Sequence, residues 1–241
     1  MKIIGHRGAR GLVPENTVAS LLKALDYGVD EVEFDVRVTK DGVPILSHDP
    51  DMHDPAGNHL RITGHTYEEL LAHKPDLATL KQAIKAIDRR VPMMLEVKPD
   101  VTLKPVTDVI KSCLKAGWSA TDFNLASYSQ PILLELQAEL PGIQKIVIEN
   151  WSGVRAAKRA RQLGTKRLSM LEYWLWSGFI SAMARRDYKL YSFPPKSPLK
   201  ERLFSKIGLT GFTNNPKKAR RWAKYGLAGV ITDFPDRFTK K

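Results

Sequence analysis

The chain has 241 residues, of which 43% are hydrophobic, and one cysteine; this excludes extensive disorder and an internal disulfide at Cys113, and suits one domain over 1–241. No stretch approaches the ~20 apolar residues of a membrane-spanning helix, and Met1 to Gly8 lacks the apolar run of a signal peptide, so a cytoplasmic protein is expected. The net charge of +12 is uneven: residues 1–150 hold 17 Lys and Arg against 21 Asp and Glu, residues 151–241 hold 21 against 5.

Short apolar runs alternate with amphipathic stretches, the pattern of repeated βα units. Strands are predicted at 2–7, 31–38, 91–98, 123–128, 144–149, 166–171, 208–213 and 228–233. Helices are predicted at about 16–27, 78–90, 102–116, 130–139, 153–163, 173–186 and 216–225. Eight strands with intervening helices define an α/β fold, a (β/α)8 TIM barrel, and no dinucleotide fingerprint or Walker loop follows any strand. After 31–38, Lys40-Asp41-Gly42 reads as a tight turn into a second extended piece, Val43 to His48. Residues 50–77, rich in Pro and Gly, read as a loop-rich insertion.

Charge is concentrated where a barrel does its chemistry. In Glu31-Val-Glu-Phe-Asp-Val-Arg-Val38 the charged residues alternate with apolar ones, so Glu31, Glu33, Asp35 and Arg37 share the inward face while the apolar face meets the helices. Leu95-Glu96-Val97-Lys98 alternates likewise, bringing Glu96 and Lys98 inside on the neighbouring strand. Buried carboxylates need partners. Ion pairs would serve, but three that converge, Glu33, Asp35 and Glu96, fit a divalent cation, Mg²⁺ or Ca²⁺. His6-Arg7-Gly8 ends the first strand at the same mouth. Arg7 offers a planar fork for phosphate, and His6 and His48 face each other as a proton-accepting and proton-donating pair. His53, His59, His65 and His73 read as surface or packed residues.

The ordered series His6-Arg7-Gly8, Pro14-Glu15-Asn16-Thr17, Glu33-x-Asp35, Thr39-Lys40-Asp41-Gly42, His48-Asp49, Glu96-x-Lys98 and Gly229-Val-Ile-Thr232-Asp233-Phe-Pro235 resembles the signature set of the glycerophosphodiester phosphodiesterase family. The resemblance spans almost the whole chain. It implies hydrolysis of a glycerophosphodiester to glycerol 3-phosphate and an alcohol, with the metal on Glu33, Asp35 and Glu96. Arg7 and Lys98 would hold the phosphate, and His6 and His48 would be the acid and base. Pro14 to Thr17 are expected to position and cap the first helix, with Asn16 or Thr17 as N-cap. Phe212-Thr213-Asn214-Asn215 departs from the family's usual Trp-Thr-Val-Asn near strand seven.

Tyr173, Trp174, Trp176 and Phe179 cluster after the sixth strand, on the side of the mouth, with Trp151 nearby. They would pack a helix, line the alcohol pocket or dip into a membrane interface; in the last case a lysophospholipase D-like activity follows. The basic half would then touch an anionic membrane. Nucleic acid is disfavoured, because the bases are scattered over several predicted helices. A non-catalytic barrel that binds anionic surfaces is the reading from another class.

Overall fold

The computed structural model describes residues 1–53, 57–195 and 211–239. Eight strands lie parallel and close on themselves: β1 (Lys2–Gly5), β2 (Glu31–Val38), β6 (Met93–Val97), β7 (Phe123–Ser127), β8 (Gln144–Glu149), β9 (Arg167–Leu171), β10 (Lys189–Phe193) and β11 (Gly229–Thr232). Pairing of Ile4 with Glu31 and Gly5 with Val32 closes the ring. Around it run α1 (Val18–Asp26), α3 (Leu80–Ile87), α4 (Leu103–Lys115), α5 (Gln130–Glu139), α6 (Gly153–Gln162), α7 (Ser177–Ala184) and α8 (Pro216–Ala223). This is the (β/α)8 barrel expected from the sequence.

The alternation of each strand divides the core into two layers. Ile4, Met94, Ala126, Ile146, Ile148, Tyr191 and Ile231 fill the barrel. Phe34, Val36, Leu95, Val97 and Leu125 point outward into the helix layer, where Leu21, Ile84, Val106 and Ile110 meet them. Each fully buried aliphatic or aromatic side chain stabilises the fold by about 1.5–3 kcal/mol. That outward demand on the apolar face forces the charged face of β2 into the barrel.

The turn at Asp41-Gly42 forms as predicted, and β3 (Pro44–Leu46) returns antiparallel along β2, with Val36 opposite Leu46. The insertion after it carries more regular structure than its composition suggests. It holds the hairpin of β4 (Asp51–His53) and β5 (His59–Arg61), then α2 (Tyr67–His73), which Thr66 and Glu69 cap reciprocally. Ile45, Met52, Ile62, Leu70 and Leu77 form its own small core.

Two expectations need correction. The seventh stave is β10, Lys189–Phe193, and not 208–213; of that stretch 208–210 lie outside the described residues and Gly211 to Thr213 form no strand. Lys-Leu-Tyr-Ser-Phe alternates, with Tyr191 turned into the barrel and Leu190 into the helix layer. The run is only five residues long, and a helix predicted to reach 186 leaves it little room. That helix, predicted over 173–186, is instead a 3-10 turn at Glu172–Trp174 followed by the shorter α7.

Candidate active site

The first turn after β1 is built from left-handed residues. Arg7 has φ +50° and Gly8 φ +82°. Ser20 of α1 locks the turn, since its Oγ donates to the Arg7 carbonyl and accepts from the Ala9 N–H, both at 3.0 Å. Held this way, Arg7 donates its backbone N–H to Glu33 Oε2 at 2.9 Å. Its guanidinium reaches Glu15 at 2.6 Å and Asp35 at 3.1 Å.

Glu33 and Asp35 stand two residues apart on the inner face of β2, and the register sets Asp35 directly beside Glu96 of β6. One oxygen from each of Glu33, Asp35 and Glu96 lies within 4.8 Å of the others. Oxygens bound to one ion at about 2.1–2.5 Å are separated by at most about 4–5 Å, and three hard carboxylate donors suit Mg²⁺ or Ca²⁺. Lys98 pairs with Asp35 at 2.5 Å and also with Glu96. Asn16 donates to Asp35 Oδ2 at 2.9 Å and accepts from the Asp35 N–H at 3.1 Å.

The electrostatics are those of an anion cluster short of positive charge. Burial pushes the Glu33 carboxyl well above its ordinary range, and the charges of Asp35 and Glu96 push it further. Burial raises Glu96 too, against the opposing charge of Lys98. Asp35 is different: burial would raise it, but Lys98 and Arg7 outweigh that and hold it below the usual carboxylate range. Arg7 and Lys98 together hold Asp35, Glu96 shares Lys98 with it and Glu33 is held by the Arg7 backbone N–H, so three carboxylates share two cations and the cluster stays short of positive charge. The residues fit a divalent cation.

Both histidines line the cavity that holds this cluster. His6 Nδ1 lies 2.6 Å from Asp233 Oδ1, at the end of β11. Arg10 at 3.2 Å and Asn214 at 3.3 Å hold that aspartate in turn. His48 Nδ1 lies 2.7 Å from Asp49 Oδ1, and Arg37 donates twice to the His48 carbonyl, at 2.9 and 3.2 Å. Burial lowers both imidazoles, His48 to about 4. For His6 the Asp233 hydrogen bond opposes the shift; for His48 the Asp35 charge does.

All seven sequence-predicted residues, His6, Arg7, Glu33, Asp35, His48, Glu96 and Lys98, meet at the C-terminal mouth. The cavity has a volume of about 810 Å³. Opposite the charged wall it is apolar, with Tyr128, Ile148, Leu171, Trp174 and Phe193. His53, His59, His65 and His73 lie outside it. Sequence reasoning missed Asp233, Arg10 and Asn214 as site residues. Their one signal was the position of Thr232-Asp233 at the end of the last strand. Of the two residues offered as N-cap, Thr17 caps α1, and Asn16, at φ +57°, turns to Asp35 instead.

A closed (β/α)8 barrel with three carboxylates, an arginine, a lysine and two histidines at its mouth has the make-up of a barrel phosphodiesterase. The model of the glycerophosphoryl diester phosphodiesterase family matches residues 6–165, and the chain belongs to that family. YhdW of Bacillus subtilis is 23% identical across all of this chain and 97% of its own length. The glycerophosphodiester phosphodiesterase of Caldanaerobacter subterraneus is 36% identical over 39% of this chain and 38% of its own. Among solved structures, an Oleispira antarctica phosphodiesterase in complex with the product sn-glycerol-3-phosphate superposes with a TM-score of 0.79. It is 24% identical and covers 98% of this chain and 94% of its own. The Thermotoga maritima glycerophosphodiester phosphodiesterase gives 0.74 at 20% identity, covering 99% and 97%. At these identities the two structures establish the shared barrel. Among the described residues no helix is long and apolar enough to cross a membrane.

Proposed function

We propose that the chain hydrolyses glycerophosphodiesters to glycerol 3-phosphate and an alcohol, with a divalent cation on Glu33, Asp35 and Glu96 and with His6 and His48 as proton carriers. The observation that carries this reading is the convergence of three carboxylates within 4.8 Å in a cavity lined by both histidines. Arg7 and Lys98 bind the non-bridging phosphate oxygens. A bound cation supplies Lewis-acid stabilisation of the charge that develops on the phosphate.

One imidazole, neutral near pH 7 because burial depresses it, takes the proton of the glycerol 2-hydroxyl. The new O–P bond forms as the O–P bond to the alcohol breaks, and the other histidine, charged beside the phosphate anion, protonates the departing oxygen. Water opens the resulting cyclic phosphate along the reverse path. Asp233 and Asp49 orient the two rings. The apolar wall opposite favours a second reading, in which an acyl chain remains on the glycerol and the substrate is a lysophospholipid. The single free cysteine, Cys113, supports a cytoplasmic location.

The test incubates purified protein with glycerophosphocholine, glycerophosphoethanolamine and lysophosphatidylcholine, with Mg²⁺, Ca²⁺ or chelator, and assays glycerol 3-phosphate and lysophosphatidate. Glycerol 3-phosphate formed only with added metal is the expected result. Full turnover after exhaustive chelation removes the metal from the scheme, and no turnover of any diester removes the function.

A further inference from the structure

The loops that follow β8 and β9, with the first turn of α6, carry large apolar side chains into solvent. Trp151 is 71% exposed, Val154 80%, Trp176 64% and Trp174 45%. Single exposed apolar residues are ordinary, but a cluster of three tryptophans at one end of a barrel is not. Glycines weld the two loops into one surface. A Cβ on Gly153 would lie 2.4 Å from the Phe179 ring, and one on Gly178 would lie 2.1 Å from the Trp176 ring. The aromatic groups of the second loop therefore lie directly against the backbone of both.

The exposed charge beside this patch is positive. Of the six Lys and Arg in residues 151–179, Arg159 is buried and Arg161, Lys166 and Arg167 lie at the end of α6 and the start of β9, away from the mouth, which leaves Arg155 and Lys158; the single acid is Glu172. Glu172 is fully buried, and it accepts from the Gly211 N–H at 2.7 Å and the Thr213 hydroxyl at 2.9 Å, so it offers no negative charge to the surface. Arg155 and Lys158, exposed on the first two turns of α6, flank Trp151 and Val154. Arg155 also pairs with the buried Glu149 at 3.1 Å. Tryptophans rimmed by Lys and Arg match the boundary of a bilayer, where indole rings sit among headgroups and cations meet lipid phosphate.

Position chooses between occupants. Trp151 and Trp174 also line the catalytic cavity. A second copy seated on this rim would bring the like-charged Arg155 and Lys158 of the two copies together. A lipid surface complements the charge and faces the open cavity. We propose that the Trp151–Val154–Trp174–Trp176 rim docks on anionic phospholipid surfaces. Docking stands on the rim itself; delivery of lipid-borne diesters to the cavity rests on the proposed function.

The test is flotation of the full chain with vesicles of phosphatidylcholine alone or with one quarter phosphatidylglycerol, at low and high salt. A double variant, Val154→Asp with Trp176→Ser, alters exposed side chains that do not line the cavity. Wild type is expected to float with the anionic vesicles and to be partly released by salt. The double variant should lose about 10-fold in bound fraction, while its turnover of soluble glycerophosphocholine matches wild type. Failure of wild type to float, equal flotation of the variant, or a dimer in sedimentation that the variant dissolves would each overturn the proposal. Absence of turnover in both proteins would reject the proposed chemistry and leave the flotation result readable.

Discussion

His6 Nδ1 and Asp233 Oδ1 lie 2.6 Å apart although 227 residues separate them along the chain. Burial would raise Asp233, but the hydrogen bond and charge of His6 outweigh it, with Arg10 and Asn214 assisting, so its carboxyl stays below the ordinary range and ionised. An ionised oxygen can only accept, so the proton of neutral His6 sits on Nδ1 and Nε2 keeps its lone pair. The other histidine is held differently, because the Asp49 side chain is 67% exposed. Closing the barrel brings the first and last strands together and gives His6 its orienting carboxylate.

Asp233→Asn is therefore expected to lower kcat by about 10²-fold, the scale of a mispositioned general acid or base, with little change in KM. Loss of the carboxylate also removes what holds the His6 pKa up, so the limb of the pH–rate profile that belongs to His6 should move to lower pH. Asp49→Asn should cost less than about 10-fold, since solvent weakens that contact. Steady-state kinetics across pH decides; an unchanged kcat in Asp233→Asn sinks the positioning role.

The raised Glu33 ties metal binding to protons. Its folded pKa lies above the unfolded one, so the stability it contributes is present at low pH and is lost as pH rises through the folded value. A bound cation must displace that proton and restores what the rise removed. The thermal shift on adding Mg²⁺ or Ca²⁺ should thus grow with pH, approaching the ~2.7 kcal/mol of a ligand at 100 times its Kd. Glu33→Gln should melt higher than wild type in chelator and gain little from metal. Melting both proteins with and without chelator is the measurement, and equal shifts in the two would refute the assignment.

Much of this was legible in the sequence. Glu31 to Val38 could be read because a strand alternates with period two and a barrel strand must turn its apolar face to the helices. The hairpin was legible from Asp41-Gly42. Asn16 was not, because a Pro-Glu-Asn-Thr run before an apolar stretch carries a helix-cap signal that two residues can satisfy. Thr17 took the cap, accepting from the Ser20 N–H. The pairing of His6 with Asp233 has no local signal, since only closure of the ring brings β11 against β1. The misplaced seventh strand has a similar cause: Lys189–Phe193 is short and buried, and its partners β9 and β11 give it strand identity only in three dimensions.

His48 gives a pH dependence of opposite sign. Burial lowers it to about 4, with Lys98 and Arg7 adding to the shift and Asp35 opposing it. A histidine whose folded pKa is depressed stabilises the fold above its unfolded value of about 6.5, and that stability is lost as pH falls from there towards 4. At ~1.4 kcal/mol per pKa unit the full loss is of order 3 kcal/mol. Against the opposite contribution of Glu33, chelated His48→Gln should therefore lose less stability than chelated wild type, or gain more, between about pH 7 and about pH 5 by urea unfolding. A variant with the same pH slope as wild type rules out His48 as its source.

Gly8 tests whether the turn that aims Arg7 is rigid. Its φ of +82° already penalises any side chain, and an added Cβ would lie 2.4 Å from the Ser20 carbonyl carbon and 2.5 Å from its oxygen. Both atoms are backbone of α1, so no flexible side chain can move aside. Gly8→Ala is expected to cost about 3 kcal/mol or more through strain and overpacking together. Because Arg7 must shift with the turn, turnover should fall even where the variant remains folded. Gly28→Ala is the matched control: its φ of +67° is similar, but nothing lies within 4 Å of the new Cβ. There only the left-handed penalty of about 1–2 kcal/mol remains. Urea unfolding of the two variants separates the effects, and a larger loss in Gly28→Ala than in Gly8→Ala would show that the contact with Ser20 yields.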